Sequence, residues 1–329
     1  MSTIARCCLI ACAALSLTLS AQAQNPQAYP DRPVRLVIAF PPGGATDTMT
    51  RQITQELGEA LGQSIVIENR PGAGGYIAWN HVAGADPDGY TLLMAENALG
   101  ISQALYKKHP SNFDSLRQYD AIAMVATSPQ VLAAATNIKP DTLAEVIAYA
   151  RTVPQKLNYA SAGIGSMTHL STEVVKAATG LEAVHVPYKG GGPAMNDLIA
   201  GHVALNMAAL QVAKGLVETG KIKALAVTGA QRSPALPKVP TLQEAGVKTA
   251  DVDLRFYFGV FGPKGIPDAV KAKLEKAIAA TLANPKVRAR LANLDIEPAY
   301  EPGSALRAKL EGEIANWGRF IDERGIKPE

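Results

Sequence analysis

The chain has 329 residues, 47% of them hydrophobic and 19% charged, with 32 basic against 29 acidic residues and a formal net charge of +3. This is globular composition at a length that suits two domains. Lysine and arginine are dispersed along the chain, which gives no support to a nucleic-acid partner.

In chain order, residues 1–23 read as a signal peptide. Arg6 supplies the positive n-region, residues 7–19 form an apolar run too short for a stable membrane anchor, and Ala21-Gln22-Ala23 is a small-x-small cleavage site. Cleavage after Ala23 would export a soluble chain beginning at Gln24 to the periplasm. An uncleaved anchor and a lipoprotein box at Leu9-Ile10-Ala11-Cys12 are the alternatives. Cys7, Cys8 and Cys12, all the cysteines there are, lie inside this segment. The exported chain is therefore expected to carry no disulfide and no thiol chemistry.

Beyond it, short apolar runs alternate with helical periodicity. Residues 34–40, 64–68 and 90–95 predict strands. Between the first two, Met49, Ile53, Leu57 and Leu61 recur every four residues and predict a helix with one apolar face. Residues 75–83 predict a shorter helix, and Asp86-Pro87-Asp88-Gly89 a turn. Strands follow at 122–126, 131–135, 157–160, 184–187, 203–207, 222–228 and 255–261. Helices are expected at 143–150, 168–178 and 194–200, then continuously helical chain over 268–283, 285–292 and 304–324. Repeated strand–helix–strand units with apolar strands predict an α/β fold of mainly parallel sheets covered by helices. No flexible linker divides the chain. Two lobes would be joined through ordered strands crossing near 121–130 and 250–258, with a cleft between them.

The chemistry is concentrated where strands give way to helices. In Pro41-Pro42-Gly43-Gly44-Ala45-Thr46-Asp47 the prolines end strand pairing, the glycines allow a tight turn, and Thr46 or Asp47 can cap the helix. The first amides of that helix have no partner within it, so an anion is their natural occupant. A self-capped turn is the alternative. The device recurs at residues 161–168, 187–193 and 69–75. Four such loops suggest a cleft lined by backbone donors, suited to carboxylates.

Other chemistries lack their signatures. Gly163-x-Gly165-x-x-Thr168 and Gly72-x-Gly74 are incomplete dinucleotide fingerprints, and no lysine–serine or lysine–threonine pair follows the glycines at 190–192. No nucleophile elbow occurs. His81, His109, His169, His185 and His202 show no metal-ligand spacing, and Asp86-x-Asp88-Gly89 lacks the rest of a calcium loop. No cofactor and no metal are expected.

The segments AFPPGGATD (39–47), VIENRPGAGG (66–75), DPDGYTLL (86–93), LNYASAGIGSMTHL (157–170), VPYKGGGPAMNDLIAGHV (186–203) and ALAVTGAQRSPALPKVPTLQEAGV (224–247) together resemble the solute-binding receptors of tripartite tricarboxylate transporters, the Bug receptors. The resemblance covers nearly the whole exported chain. It implies a two-lobed periplasmic-binding fold of type II character, with residues 24–127 plus 255–329 in the first lobe and 128–254 in the second. It implies a small organic carboxylate as ligand, membrane permease subunits as partners and no enzymatic activity; a monomer is the default, with no sequence feature against it. Carried over to this chain, the ligand contacts are Phe40, Pro41, Gly43, Gly44, Thr46 and Asp47 from one lobe and Ser161, Gly163, Ser166, His169, Tyr188, Lys189 and Gly190 from the other. Asn97, after the third strand, is a further candidate. Ala208 stands where relatives often carry Asp, so a ligand ammonium would lack a partner there. Glu96 stands where small neutral residues are common, and is expected either to accept from a ligand donor or to point to solvent. A co-receptor for a membrane sensor kinase and a secreted hydrolase are the rival classes; the second lacks a nucleophile–base pair.

Overall fold

The computed structural model describes residues 29–106, 113–153, 157–249 and 252–328. The signal-peptide reading lies outside the described residues. Two sheets carry the fold. In the first, β1 (Val34–Ile38), β2 (Ile65–Asn69), β3 (Thr91–Glu96), β4 (Tyr119–Ser128), β10 (Phe256–Pro263) and β11 (Glu297–Pro302) lie in the order β11-β4-β10-β3-β1-β2. In the second, β5 (Gln130–Ala134), β6 (Leu157–Ser161), β7 (Ala183–Pro187), β8 (Leu205–Ala209) and β9 (Lys223–Val227) lie in the order β7-β6-β8-β5-β9.

Both sheets are mixed, where the sequence pattern predicted mainly parallel ones. β1 runs parallel to β2 and β3, and β6 parallel to β7 and β8. β10 runs antiparallel to β3 and β4, and β5 antiparallel to β8 and β9. The reason is connectivity. β4 leaves the first sheet at Ser128 and β5 enters the second at Gln130; β10 begins at Phe256, once the chain has returned. Strands used to cross between sheets are not joined to their neighbours by the strand–helix–strand units that enforce parallel pairing.

Helices cover both faces of the first sheet, which is why β1 is apolar almost throughout. Leu36 and Ile38 point to one face and Val37 to the other, as strand alternation requires. On the first face α1 (Ala45–Leu61) buries Met49, Ile53, Leu57 and Leu61, the four residues of its predicted stripe, with Leu274 and Ile278 of α9 (Asp268–Ala283). On the second, α2 (Tyr76–Ala83) and α3 (Ala98–Leu105) pack with Phe113, Tyr119 and Phe261. Trp79 stacks on Phe113 at 5.4 Å, and its carbonyl accepts from the Tyr119 hydroxyl at 2.6 Å. Each such side chain contributes about 1.5–3 kcal/mol on burial. The packing holds rigid the ends of β1 and β3, where the loops of interest begin.

Two sequence expectations need correction. The chain after β10 is not helical throughout, because β11 pairs with the outer edge of β4. Its sequence, EPAYEP, has two prolines and weak strand propensity, yet an edge strand tolerates proline. The strand is set by its long-range partner, between α10 (Pro285–Asn293) and α11 (Gly303–Arg324). The helix α3 went unrecognised because nearly every residue in it is buried, which leaves no polar face to reveal the period.

One residue fastens both crossings. Gln130 is fully buried; its Nε2 donates to the Leu254 carbonyl at 2.6 Å and to Ser171 Oγ at 2.7 Å. Its backbone amide donates to Thr228 Oγ1 at 2.9 Å.

Candidate ligand cavity

Between the sheets lies a cavity of ≈ 50 Å³. The first sheet's side presents Phe40, Gly44, Ala45 and Thr46 after β1, Glu96 at the end of β3, and Phe256 at the start of β10. The other side presents Ala162, Ser166, Met167 and Thr168 at the start of α6 (Met167–Thr179), and Gly191 and Met195 of α7 (Gly191–Ile199). Asn206 to Ala209 of β8 and Val212 of α8 (Leu210–Glu218) complete it. Four helices therefore start at its wall. Among the described residues lining it, none is a lysine or an arginine.

The loop after β1 is held open by side chains behind it. Helix α1 begins from Gly44 without a side-chain cap. Asp47 does not cap; its Oδ2 accepts from the Gly43 amide at 3.0 Å, and Arg51 grips both carboxylate oxygens at 2.8 and 2.9 Å. Asn69 donates to Asp47 Oδ1 at 3.1 Å and to the Phe40 carbonyl at 2.9 Å, tying the loop to β2. Burial acts to raise the Asp47 pKa, but Arg51, the Gly43 amide and Asn69 outweigh it and hold the carboxyl below its ordinary value. Gly43 has φ of +79°, a conformation that needs glycine. With Asp47 engaged behind, the amides of Ala45 and Thr46 at the helix start are left for whatever occupies the cavity.

The loop after β6 satisfies more of itself. Ser161 is fully buried, with Oγ 2.6 Å from His185 Nε2, and accepts from the Gly163 amide at 3.1 Å. Thr168 Oγ1 accepts from the Ala162 amide, and His169 Nδ1 from the Gly165 amide. Ser166 caps α6 by accepting from the His169 amide. His169 and His185 stack at 4.1 Å between ring centroids, with Tyr159 beyond His185 at 4.8 Å. Burial pushes His169 down to about 4 and His185 down to about 3, the second aided by its neighbour, so both rings are neutral near pH 7.

The candidate contacts thus take different places. Phe40, Gly44, Thr46 and Ser166 line the cavity. Asp47, Ser161, Gly163 and His169 lie behind it, bonding its loops. Tyr188 donates from its hydroxyl to Asp197 Oδ2 at 2.5 Å, and Lys189 is exposed. Asn97 is fully buried in the first lobe: its Nδ2 donates to Glu313 and to the Arg255 carbonyl, and its Oδ1 accepts from the Tyr257 amide at 3.1 Å. Pro41 and Gly190 meet each other from opposite lobes; a Cβ at Gly190 would stand 2.7 Å from Pro41 Cδ. Lys214 Nζ donates across to the Asn293 carbonyl at 2.9 Å, and Gly165 lies against Leu105. The lobes are shut.

Glu96 departs from one of its two expected roles. It is only 5% exposed, so it does not point to solvent. The apolar wall of Met167, Met195, Met207, Val212 and Phe256 was not foreseen either; helical and strand periodicity marked these residues only as core.

Two helix-covered sheets closing on one cavity define a two-lobed solute-binding protein, a class that binds its ligand rather than transforming it. The family model described as "Tripartite tricarboxylate transporter family receptor" matches residues 49–326, and the chain belongs to that family. BugT of Bordetella pertussis is 32% identical, over 91% of each chain. An R. palustris protein solved with adipate is 35% identical with a TM-score of 0.86, over 92% of this chain and 100% of that one. MatC of Rhodopseudomonas palustris, solved with bound malate, is 32% identical with a TM-score of 0.82, over 89% and 100%.

Proposed function

We propose that this protein is a periplasmic receptor that captures a small organic carboxylate between its lobes and delivers it to the membrane permease subunits of a tripartite transporter. Residues 24–127 with 255–329 form one lobe and 128–254 the other, and the signal peptide ends at Ala23. The observation that carries this reading is the convergence of four helix starts on one cavity with no cationic side chain among the described residues lining it. Backbone amides at helix N-termini stabilise an anion without the desolvation cost of a buried arginine. Relatives solved with adipate and with malate support the ligand class.

The ligand carboxylate sits against the helix starts at Gly44–Thr46 and Ser166–Thr168. Its body lies against Phe40, Met207 and Phe256. Pro41, Gly43, Asp47, Ser161, Gly163, His169 and Gly190 shape those loops or meet across the mouth, Tyr188 and Lys189 precede Gly190 on its loop, and Asn97 holds the end of β3 through Glu313, the Arg255 carbonyl and the Tyr257 amide. The cavity, at ≈ 50 Å³, exceeds the about 10–15 Å³ that one buried water needs. Because the ligand touches both lobes, it favours the shut form.

The delivery step is tested by uptake. Cells lacking this chain lose accumulation of the radiolabelled acid that the purified protein binds, and regain it on complementation. Uptake equal to that of the parent strain, with binding intact in vitro, would instead assign the receptor to sensing.

A further inference from the structure

Glu96 combines burial, cavity contact and the wrong charge for a site that holds an anion. Its Oε2 accepts from the Ala98 amide, at the start of α3, at 2.9 Å. Among the described residues, nothing in the protein bonds its Oε1, while the side chain lines the cavity. Among the described residues lining the cavity, no lysine or arginine is available to neutralise it.

A second carboxylate stands behind it. Glu313 of α11 is buried and accepts from Asn97 Nδ2 through both oxygens, at 3.1 and 3.2 Å. Tyr257 of β10 is fully buried, feels both carboxylates, and its hydroxyl has no partner among the described residues. Lys309 of α11 lies 5.1 Å over the Tyr257 ring and 4.0 Å from Asp253 Oδ2, and its charge acts on Glu313. Arg255, in the segment entering β10, is engaged with Asp253. Across the cavity, Thr46, Ser166, Thr168 and Asn206 are uncharged.

The cluster thus has two buried carboxyls and donors enough for one charge. Burial pushes Glu313 up as well, to about 7, but Lys309 and Asn97 partly offset this and favour placing the charge on Glu313. Glu96, with one amide and no cation, is the one left to carry the proton. Resting on the carboxylate reading above, we propose that Glu96 is a specificity-determining residue: as a neutral acid it donates a hydrogen bond from its free oxygen to an oxygen of the bound carboxylate. A carboxylic acid donating to a carboxylate makes a short, strong bond, whereas an ionised Glu96 would repel the same ligand. The electrostatics agree. Burial, reinforced by Glu313 and only partly offset by the Ala98 amide, pushes Glu96 up to about 8.

The consequence is a receptor that takes up carboxylates best at neutral and mildly acidic pH. A ligand that meets only one protonation state binds with an affinity reduced by that state's fraction. With half-protonation near 8, affinity should be nearly flat between about pH 6 and 7 and fall about 30-fold by about pH 9.5.

The test is calorimetric titration of the full protein with malate and with adipate across that range, for the native chain, Glu96→Gln and Glu96→Leu. The Gln variant keeps a donor but cannot ionise. It should bind within a few-fold of its own neutral-pH affinity at every pH, and more tightly than the native chain at the alkaline end. The Leu variant, lacking the donor, should bind at least about tenfold more weakly at neutral pH, as expected for losing one hydrogen bond to a charged partner. A native alkaline fall that persists unchanged in Glu96→Gln overturns the role of Glu96 while leaving carboxylate capture intact. So does binding that is flat in the native chain or tightens with rising pH. Failure of both acids to bind the native protein at any pH overturns the carboxylate reading and this one with it.

Discussion

Gly190→Val weakens ligand capture by about a hundredfold or more without unfolding the protein. Gly190 is the residue before α7, buried and held at φ +118°. A Cβ there would stand 2.7 Å from Pro41 Cδ and 2.9 Å from Pro41 Cγ, both on the opposite lobe. Contacts under 3.0 Å force something to move, and the proline ring is fixed to a loop that Asn69 and Asp47 tie down. Two costs must be separated. The backbone strain of a side chain at this φ, about 1–3 kcal/mol, is present whether the lobes are open or shut and so cancels from the binding equilibrium. The clash exists only when the lobes meet, and it opposes the form that ligand binding favours. Affinity should fall by about a hundredfold or more, equivalent to about 2.8 kcal/mol. Gly220→Val is the matched control. It carries the same kind of strain at φ +67° with no neighbour within 4 Å, so it should lower the melting temperature while leaving affinity unchanged. Combining Gly190→Ala with Pro41→Ala should restore part of the binding that Gly190→Ala alone loses. Native affinity in a folded Gly190→Val protein would mean that the shut contact is not the ligand-bound one.

The second large effect concerns the ligand's charge. Ala208, in β8, is buried and lines the cavity, and its register partner is Val131. Ala208→Asp adds a carboxylate to a wall whose one acid among the described residues, Glu96, is neutral when it holds its proton. Two unit charges about 4 Å apart repel by about 4 kcal/mol at an effective dielectric near 20, and an aspartate that protonates to avoid this must itself pay for its raised pKa. Carboxylates without an amino group should therefore bind at least about a hundredfold more weakly. Amino-bearing acids such as aspartate and glutamate should lose less, because their ammonium gains a partner that the native cavity lacks. Parallel titrations of both proteins with adipate and with glutamate read the change of preference. An equal loss for both ligands would mean that the substitution blocks space rather than altering charge recognition.

How much of this was legible in the sequence depends on how far apart the interacting residues lie. The helix after β1 could be read because its apolar stripe is internal to seventeen residues. The loop at 39–47 could be read because proline and glycine state their backbone requirements locally. Glu96 could not: its burial depends on a cavity roofed by α6, α7 and β8, and its neighbour Asn97 bonds residues more than 150 positions away. His169 lies at a helix start, as the spacing indicated, but its ring turns toward His185 and the Gly165 amide. Side-chain direction at a helix start is set by what packs behind it, and here that is a strand contributed from further along the chain. β11 was hidden for a related reason, since its pairing with β4 rather than its own composition makes it a strand.

The most direct measurement is a calorimetric titration of the purified protein, unfolded and refolded to strip any retained ligand, with acetate, malate, adipate and benzoate in turn. At least one aliphatic acid should bind one-to-one. That acid, at about a hundred times its dissociation constant, should stabilise the native state by about 2.7 kcal/mol in a parallel melting experiment. Well-folded protein that releases no heat and shows no stabilisation with any of the four would contradict carboxylate capture in this cavity.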